Sequence, residues 1–189
     1  MFTRKRILRT VALLVAVAAA STAFAQSQSR FGFGTPIGPQ ELAKFFAIPA
    51  DGAGLPPGSG TAAAGAKVFA DNCAACHGDK GQGNPVKGIG GDRLLGGRGT
   101  LASDTPIKTV ESYWPYATTL FDYVKRAMPF SAPGSLSDND VYAVVAYILS
   151  EAKIIPPTDT MNATTLPKVM MPNRDGFIPD SRPELELYH

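Results

Sequence analysis

The chain has 189 residues, 44% of them hydrophobic and 18% charged, a composition that supports one globular domain with a real core and leaves little room for a second. Eighteen basic and sixteen acidic residues give a formal charge of +2. The first 25 residues hold four of the basic side chains and no acidic one, so the remainder carries −2 and shows no electrostatic footprint for nucleic acid.

Those first residues read as a signal peptide. Arg4, Lys5, Arg6 and Arg9 precede an apolar run from Val11 to Ala20, and Ala23-Phe24-Ala25 forms a small-x-small cleavage site, which predicts cutting after Ala25 and export to the periplasm. A retained anchor is the rival reading, but the apolar run is about half the roughly 20 residues a spanning helix needs, so no membrane span is expected after cleavage. Residues 26–60 are rich in Gly, Pro and Ser, with one short apolar piece, "PQELAKFFAI", ahead of the breaker "DGAGLPPGSG". They are expected to form an N-terminal extension with one short helix.

A helix is predicted from Thr61 to Asn72, with Thr61 as N-cap and Gly65, Val68 and Phe69 on one face. It runs directly into "CAACH", which holds both cysteines of the chain, Cys73 and Cys76, and one of its two histidines, His77. Cysteines this close staple no useful loop. They fit either a thioredoxin-like exchange pair or the C-x-x-C-H sequence to which c-type haem is attached. An exchange pair belongs at a strand-to-helix junction, whereas "TAAAGAKVFADN" has no β-branched run, and exchange gives His77 no task. In the haem reading every member is used: the thiols of Cys73 and Cys76 add across the vinyl groups, and the His77 imidazole becomes the proximal iron ligand. One covalently bound haem c is therefore expected.

Residues 78–110 carry nine glycines between Gly78 and Gly99 and no sustained periodicity. So long a loop in so small a domain is tolerable mainly if it wraps a cofactor. Its "GGDRLLGGRGT" matches neither phosphate-binding glycine pattern, so no nucleotide is assigned. The segment "YATTLFDYVKRA" then repeats Leu120, Phe121, Val124 and Ala127 at helical spacing. Pro129 stops this helix and pushes Met128 toward an extended backbone, which makes Met128 the expected distal iron ligand. Met170 and Met171 in "VMMPN" follow, and Met161 comes last; the other histidine, His189, lies at the chain end. A further helix, "SDNDVYAVVAYILSEA", opens on Ser137 with Asp140 in the position of a capping-box acid and carries the stripe Val141, Val144, Val145, Ile148 and Leu149. Tyr147 on this helix and Gly65 on the first suit a close helix crossing. After Pro156-Pro157, residues 158–189 are polar, proline-dotted and without a helical stripe; unable to form a core alone, they must lie over the helical domain or be ordered against another protein.

Arg93, Arg98, Tyr113 and Trp114 are candidates for contacts to the haem propionates, Trp114 and Arg98 foremost. The ordinary reading beside this is solvated arginines and core-filling aromatics. Asn173 and Arg174 either pin the tail or form a turn.

Gly65 and Phe69 before "CAACH", the Met-Pro loop and "VVAYIL" together resemble a class I cytochrome c across residues 61–153, and the resemblance implies an all-α fold around one covalent haem with irregular N- and C-terminal extensions, the latter at 154–189. A narrower resemblance, in "GLPPGSG", "SYWPYATTLFDYVKRAMPF" and "MPNRDGFIPDSRPE", is to the haem subunit of bacterial periplasmic sulfane and sulfite dehydrogenases, the cytochrome partner of a molybdenum enzyme. It implies a role for the tail in partner contact or in covering the haem edge.

A His–Met pair leaves no coordination position for a substrate, so the expected function is electron transfer, with no catalytic acid, base or nucleophile. The expected donor is a periplasmic redox enzyme, by resemblance a molybdenum sulfite or sulfane dehydrogenase, and the acceptor a downstream cytochrome or oxidase of the respiratory chain. The alternative is a haem enzyme or small-ligand sensor in which Met128 is displaced.

Overall fold

The computed structural model describes residues 34–38, 41, 47–84, 90–178 and 181–182. The expected signal peptide, most of the short helix expected at 39–48 and His189 lie outside the described residues. The chain divides into two compact units, Met1–Phe46 and Ala47–His189. Of the first, residues 34–38 and 41 are described, all of them exposed. Everything below concerns the second.

Strand β1 (Ser59–Thr61) leads into helix α1 (Ala62–Asn72), a single helical turn α2 (Ala74–His77), helix α3 (Ala117–Ala127), helix α4 (Asp138–Glu151) and strand β2 (Thr160–Asn162), followed by a 3₁₀ turn at Leu166–Lys168. Among the described residues between α2 and α3 there is neither helix nor strand, as the glycine-rich composition implies. Helix α1 begins at Thr61, whose hydroxyl accepts from the Ala64 amide at 3.3 Å and satisfies one of the amides a helix start leaves unpaired. Gly65 and Phe69 are buried and Val68 half-buried, which is the expected face.

That face crosses α4. A Cβ at Gly65 would overlap the Ala143 carbonyl and stand 2.8 Å from Tyr147 Cβ, so only glycine lets the two backbones meet there. The Phe69 and Tyr147 rings pack beside this point, 5.0 Å apart. Helix α4 is apolar nearly all round, with every residue from Val141 to Ala146 buried, because α1 covers one side, α3 another and β1 a third. Phe121 of α3 meets Tyr142 of α4 at 4.5 Å between ring centroids. Each fully buried side chain of this size stabilises the fold by about 1.5–3 kcal/mol.

Both ends of α4 are closed by chemistry that can be named. At its start the Ser137 hydroxyl accepts from the Asp140 amide at 3.2 Å. The Asp140 carboxylate accepts the Ser137 hydroxyl proton at 2.6 Å, whereas a capping-box Glu reaches the N-cap amide; aspartate is one methylene shorter. At its end the Lys153 and Ile154 amides donate to the Ser150 and Leu149 carbonyls, both at 2.9 Å. This is a Schellman closure with Lys153, at φ 54°, in the left-handed position that glycine ordinarily fills.

The tail differs from a featureless extension. β2 pairs antiparallel with β1, Gly60 opposite Met161, and Met161, Leu166, Val169 and Met171 are buried in the main core. The segment before β1 is held as well. The Ile48 amide donates to Asp122 at 3.2 Å, the Ser59 amide to Asn139 at 2.9 Å, and the buried Tyr142 hydroxyl to the Pro56 carbonyl at 2.9 Å. A Cβ at Gly52 would overlap Pro167, so the two flanks also touch each other. They form a clasp over the helices.

Candidate functional site

Helix α1 ends where the Cys73 amide donates to Phe69 at 2.8 Å, and the chain restarts at once as α2, whose His77 amide donates to the Cys73 carbonyl at 2.9 Å. Gly78, at φ 77°, stops it. Cys73, Cys76 and His77 thus stand at i, i+3 and i+4 of one turn, on one face. Both thiols are free. Cys73 is half-buried, and burial, with a smaller effect from the neighbouring Cys76, pushes its thiol up to about 11; Cys76 is exposed.

The glycine-rich loop closes on this turn. The Gly83 amide donates to the His77 carbonyl and the Gly91 amide to the Cys76 carbonyl, both at 2.7 Å, while the Asn84 side chain donates to the Ala75 carbonyl at 3.0 Å. His77 Nδ1 lies 2.7 Å from the Asp92 carbonyl oxygen. A carbonyl only accepts, so Nδ1 carries the proton and the imidazole lone pair resides on Nε2, the atom that can bind a metal. Gly91 and Asp92 are positions at the site that sequence reasoning missed, because contacts between residues fourteen and fifteen apart in the chain leave no periodic signal.

Met128 sits at the C-cap of α3, its amide donating to Val124 at 3.1 Å and its backbone extended at φ −124°, ψ 148°. Its side chain is half-buried and packs at the margin of the core. The rival methionines have other surroundings. Met161 and Met171 are each 3% exposed within the core, and Met170 is 66% exposed.

Arg98 is paired within the protein. Its Nε pairs with Glu111 at 2.8 Å and an Nη donates to the Ala152 carbonyl, so the guanidinium ties the glycine-rich loop to the carbonyl end of α4, where a helix favours positive charge. Glu111 also accepts from the Gly96 amide at 2.6 Å. Beside it, Thr109 and Ser112 form a buried hydroxyl pair that accepts and donates within the same loop. Trp114 is half-buried, edge-on to Tyr123 at 5.6 Å. Tyr113 packs against Phe177 at 5.2 Å, and Arg93 is exposed. Asn173 donates to the Tyr113 carbonyl at 2.7 Å and Arg174 lies over the Tyr116 ring, so both pin the tail.

These residues fit a covalently held haem. The turn presents two free thiols and an imidazole of fixed tautomer. Half-buried apolar side chains drawn from the surrounding segments, Val68, Leu94, Leu95, Trp114 and Met128, suit a large apolar ring. Among the described residues no group of three or more His, Cys, Asp or Glu side chains is placed to hold a metal ion.

Comparison with known proteins agrees. A family-wide profile described as Cytochrome c matches residues 62–152. The chain is 38% identical over 107 residues to cytochrome c6 of Picosynechococcus sp. (strain ATCC 27264 / PCC 7002 / PR-6), spanning 53% of this chain and 81% of that one. It is 32% identical over 98 residues to thiosulfate dehydrogenase of Stutzerimonas stutzeri (strain A1501), covering 52% of this chain but only 30% of that protein. Among solved structures it is similar to the crystal structure of the sulfane dehydrogenase SoxCD from Paracoccus pantotrophus, with 39% identity and a TM-score of 0.69 over 83% of this chain and 76% of the other. The C-x-x-C-H turn, the helical frame around it and these likenesses have one explanation: the chain belongs to the cytochrome c family, whose haem c is covalently bound.

Proposed function

We propose that the chain is a periplasmic monohaem cytochrome that takes single electrons from a molybdenum sulfite or sulfane dehydrogenase and passes them, through a further cytochrome or oxidase, to the respiratory chain. The observation that carries this reading is the extent of the likeness to the SoxCD chain. It spans 83% of the sequence, well beyond the 62–152 core that the cytochrome profile matches, and so takes in flanking segments that a generic carrier does not need. Cys73 and Cys76 hold the haem by thioether bonds, His77 supplies the proximal nitrogen and Met128 the distal sulfur. Bound haem c supplies a one-electron ferrous/ferric couple, and a His–Met ligand pair leaves it no open position for substrate. The chain's own contribution is to fix the imidazole through Asp92, to hold Met128 at the rigid end of α3 and to cover the core. Export after cleavage at Ala25 rests on the N-terminal sequence; among the described residues no helix is long and apolar enough to cross a membrane.

Stopped-flow reduction by a reconstituted molybdenum sulfite dehydrogenase tests the donor, with a cytochrome from an unrelated pathway as control. Rapid reduction of this chain and not of the control is expected. Absence of reduction removes the sulfite assignment and leaves electron transfer standing. An absorption spectrum unchanged by carbon monoxide is expected of a closed His–Met site, and a shifted one favours the ligand-sensing alternative.

A further inference from the structure

We propose that Lys125 is a positioning residue for the Met128 thioether: its ammonium group ties together the two ends of the Met128 loop, and that brace keeps the sulfur in the distal position. The inference rests on Met128 as the distal ligand.

The segment from Pro129 to Ser137 joins α3 to α4, and burial does little to hold it. Every residue from Phe130 to Ser135 is exposed, and Leu136 is the first to be buried. The bonds inside the loop are local turns, the Ala132 amide donating to Pro129 at 2.9 Å and the Ser135 amide to Ala132 at 3.2 Å, which curl the chain without fastening it to either helix. Lys125 supplies that fastening. It stands in the last turn of α3, just ahead of Met128, whose own amide is bound to Val124 at 3.1 Å. From there its Nζ donates to the Leu136 carbonyl at 3.0 Å and pairs with the Asp138 carboxylate at 2.8 Å. The loop returns over this same turn, since a Cβ on Gly134 would lie 3.9 Å from the Lys125 carbonyl oxygen. Both charges also suit their places, a cation at the carbonyl end of α3 and an anion in the first turn of α4. One ammonium group therefore links the helix that ends at Met128 to the start of the helix at the centre of the core.

The consequence falls on the sixth coordination position. A thioether on an exposed loop stays in place only while the loop does. An outside ligand binds the fraction of molecules in which the loop has swung out, so its apparent affinity measures that fraction. Losing a charge-assisted hydrogen bond at a half-exposed site is expected to raise the open fraction about tenfold.

The test is titration of the ferric holoprotein with imidazole, followed by loss of the sulfur-to-iron charge-transfer band. Lys125→Leu keeps an apolar stem and a good helix former while removing the ammonium group. Imidazole binding about tenfold tighter than that of the wild type is expected. Lys67→Leu is the control, because it breaks an ion pair of the same 2.8 Å length within α1 rather than between two helices, and it should leave the affinity unchanged. Lys125→Arg, which restores charge and donors, is expected to return the affinity toward the wild-type value. Wild-type affinity in Lys125→Leu, whatever its urea midpoint, reduces Lys125 to a surface ion pair and overturns the proposal. Should Lys125→Leu fail to fold, Asp138→Asn removes the facing charge and carries the same test: tighter imidazole binding is expected, and unchanged binding overturns the proposal. Met128→Ala separates the two possible failures. If that variant keeps the charge-transfer band, the ligand reading itself falls. If its band is lost while Lys125→Leu binds imidazole as the wild type does, only the role of Lys125 falls.

Discussion

Met128 and Met171 are both followed by proline, yet the fold gives them opposite work. Met128 ends a helix at the margin of the core, while Met171, within the tail, is buried in the core. Met128→Ala is expected to abolish the weak sulfur-to-iron charge-transfer band of the ferric form, lower the potential and open the iron to carbon monoxide. Met171→Ala should leave the band intact and cost about 2–5 kcal/mol of stability, and Met170→Ala should do neither. Absorption spectra and urea titrations of the three variants check this. The two thiols differ in the same way. In the haem-free chain the folded form holds the Cys73 proton to about pH 11, whereas an unfolded chain releases it near 9.0. The raised value therefore costs nothing below pH 9 and lowers stability between 9 and 11. At pH 8 iodoacetamide should alkylate the exposed Cys76 well ahead of Cys73, a gap that urea abolishes. Equal rates without urea would contradict the burial of Cys73. The C-x-x-C-H chemistry was legible because its members are adjacent in sequence. The partner of Arg98 was not, since Glu111 and Ala152 reach it only through the folded loop.

Helices α1, α3 and α4 were legible because each carries an apolar stripe at helical spacing and a recognisable start or stop. The crossing of α1 with α4 could be named from Gly65 and Tyr147, and the contact is tight enough to test. Gly65→Ala drives a methyl into the Ala143 carbonyl and should lower stability by about 3 kcal/mol, seen as a drop in the urea midpoint with the haem spectrum retained. The other end of α4 offers the opposite change. Lys153 bears a side chain at φ 54°, so Lys153→Gly should raise stability by about 1 kcal/mol in the same titration. The strands escaped the sequence for a physical reason. Three residues are too few to show an alternation, and β1 and β2 acquire their meaning only by pairing across about a hundred residues of chain.

For the molecule as a whole, the clasp changes what the tail is. Composition marks residues 158–189 as polar, but four of their apolar side chains, Met161, Leu166, Val169 and Met171, are buried in the core. At about 1.5–3 kcal/mol each, their loss rivals the entire stability of a small domain. A chain truncated after Pro157 is therefore expected to fold poorly, a result visible as a lost thermal transition. A chain truncated after Asp175 keeps the clasp and isolates any partner contact of the exposed Phe177 and Ile178, read as slower electron uptake from a reconstituted sulfite dehydrogenase, the proposed donor. The bridge also has a mechanical character. Ser59 faces Asn162, so the two flanks leave β1 and β2 at the same end. Tension between them, once Leu166, Val169 and Met171 have been drawn out, parts the strands as a zip, rung by rung, rather than loading every rung in shear.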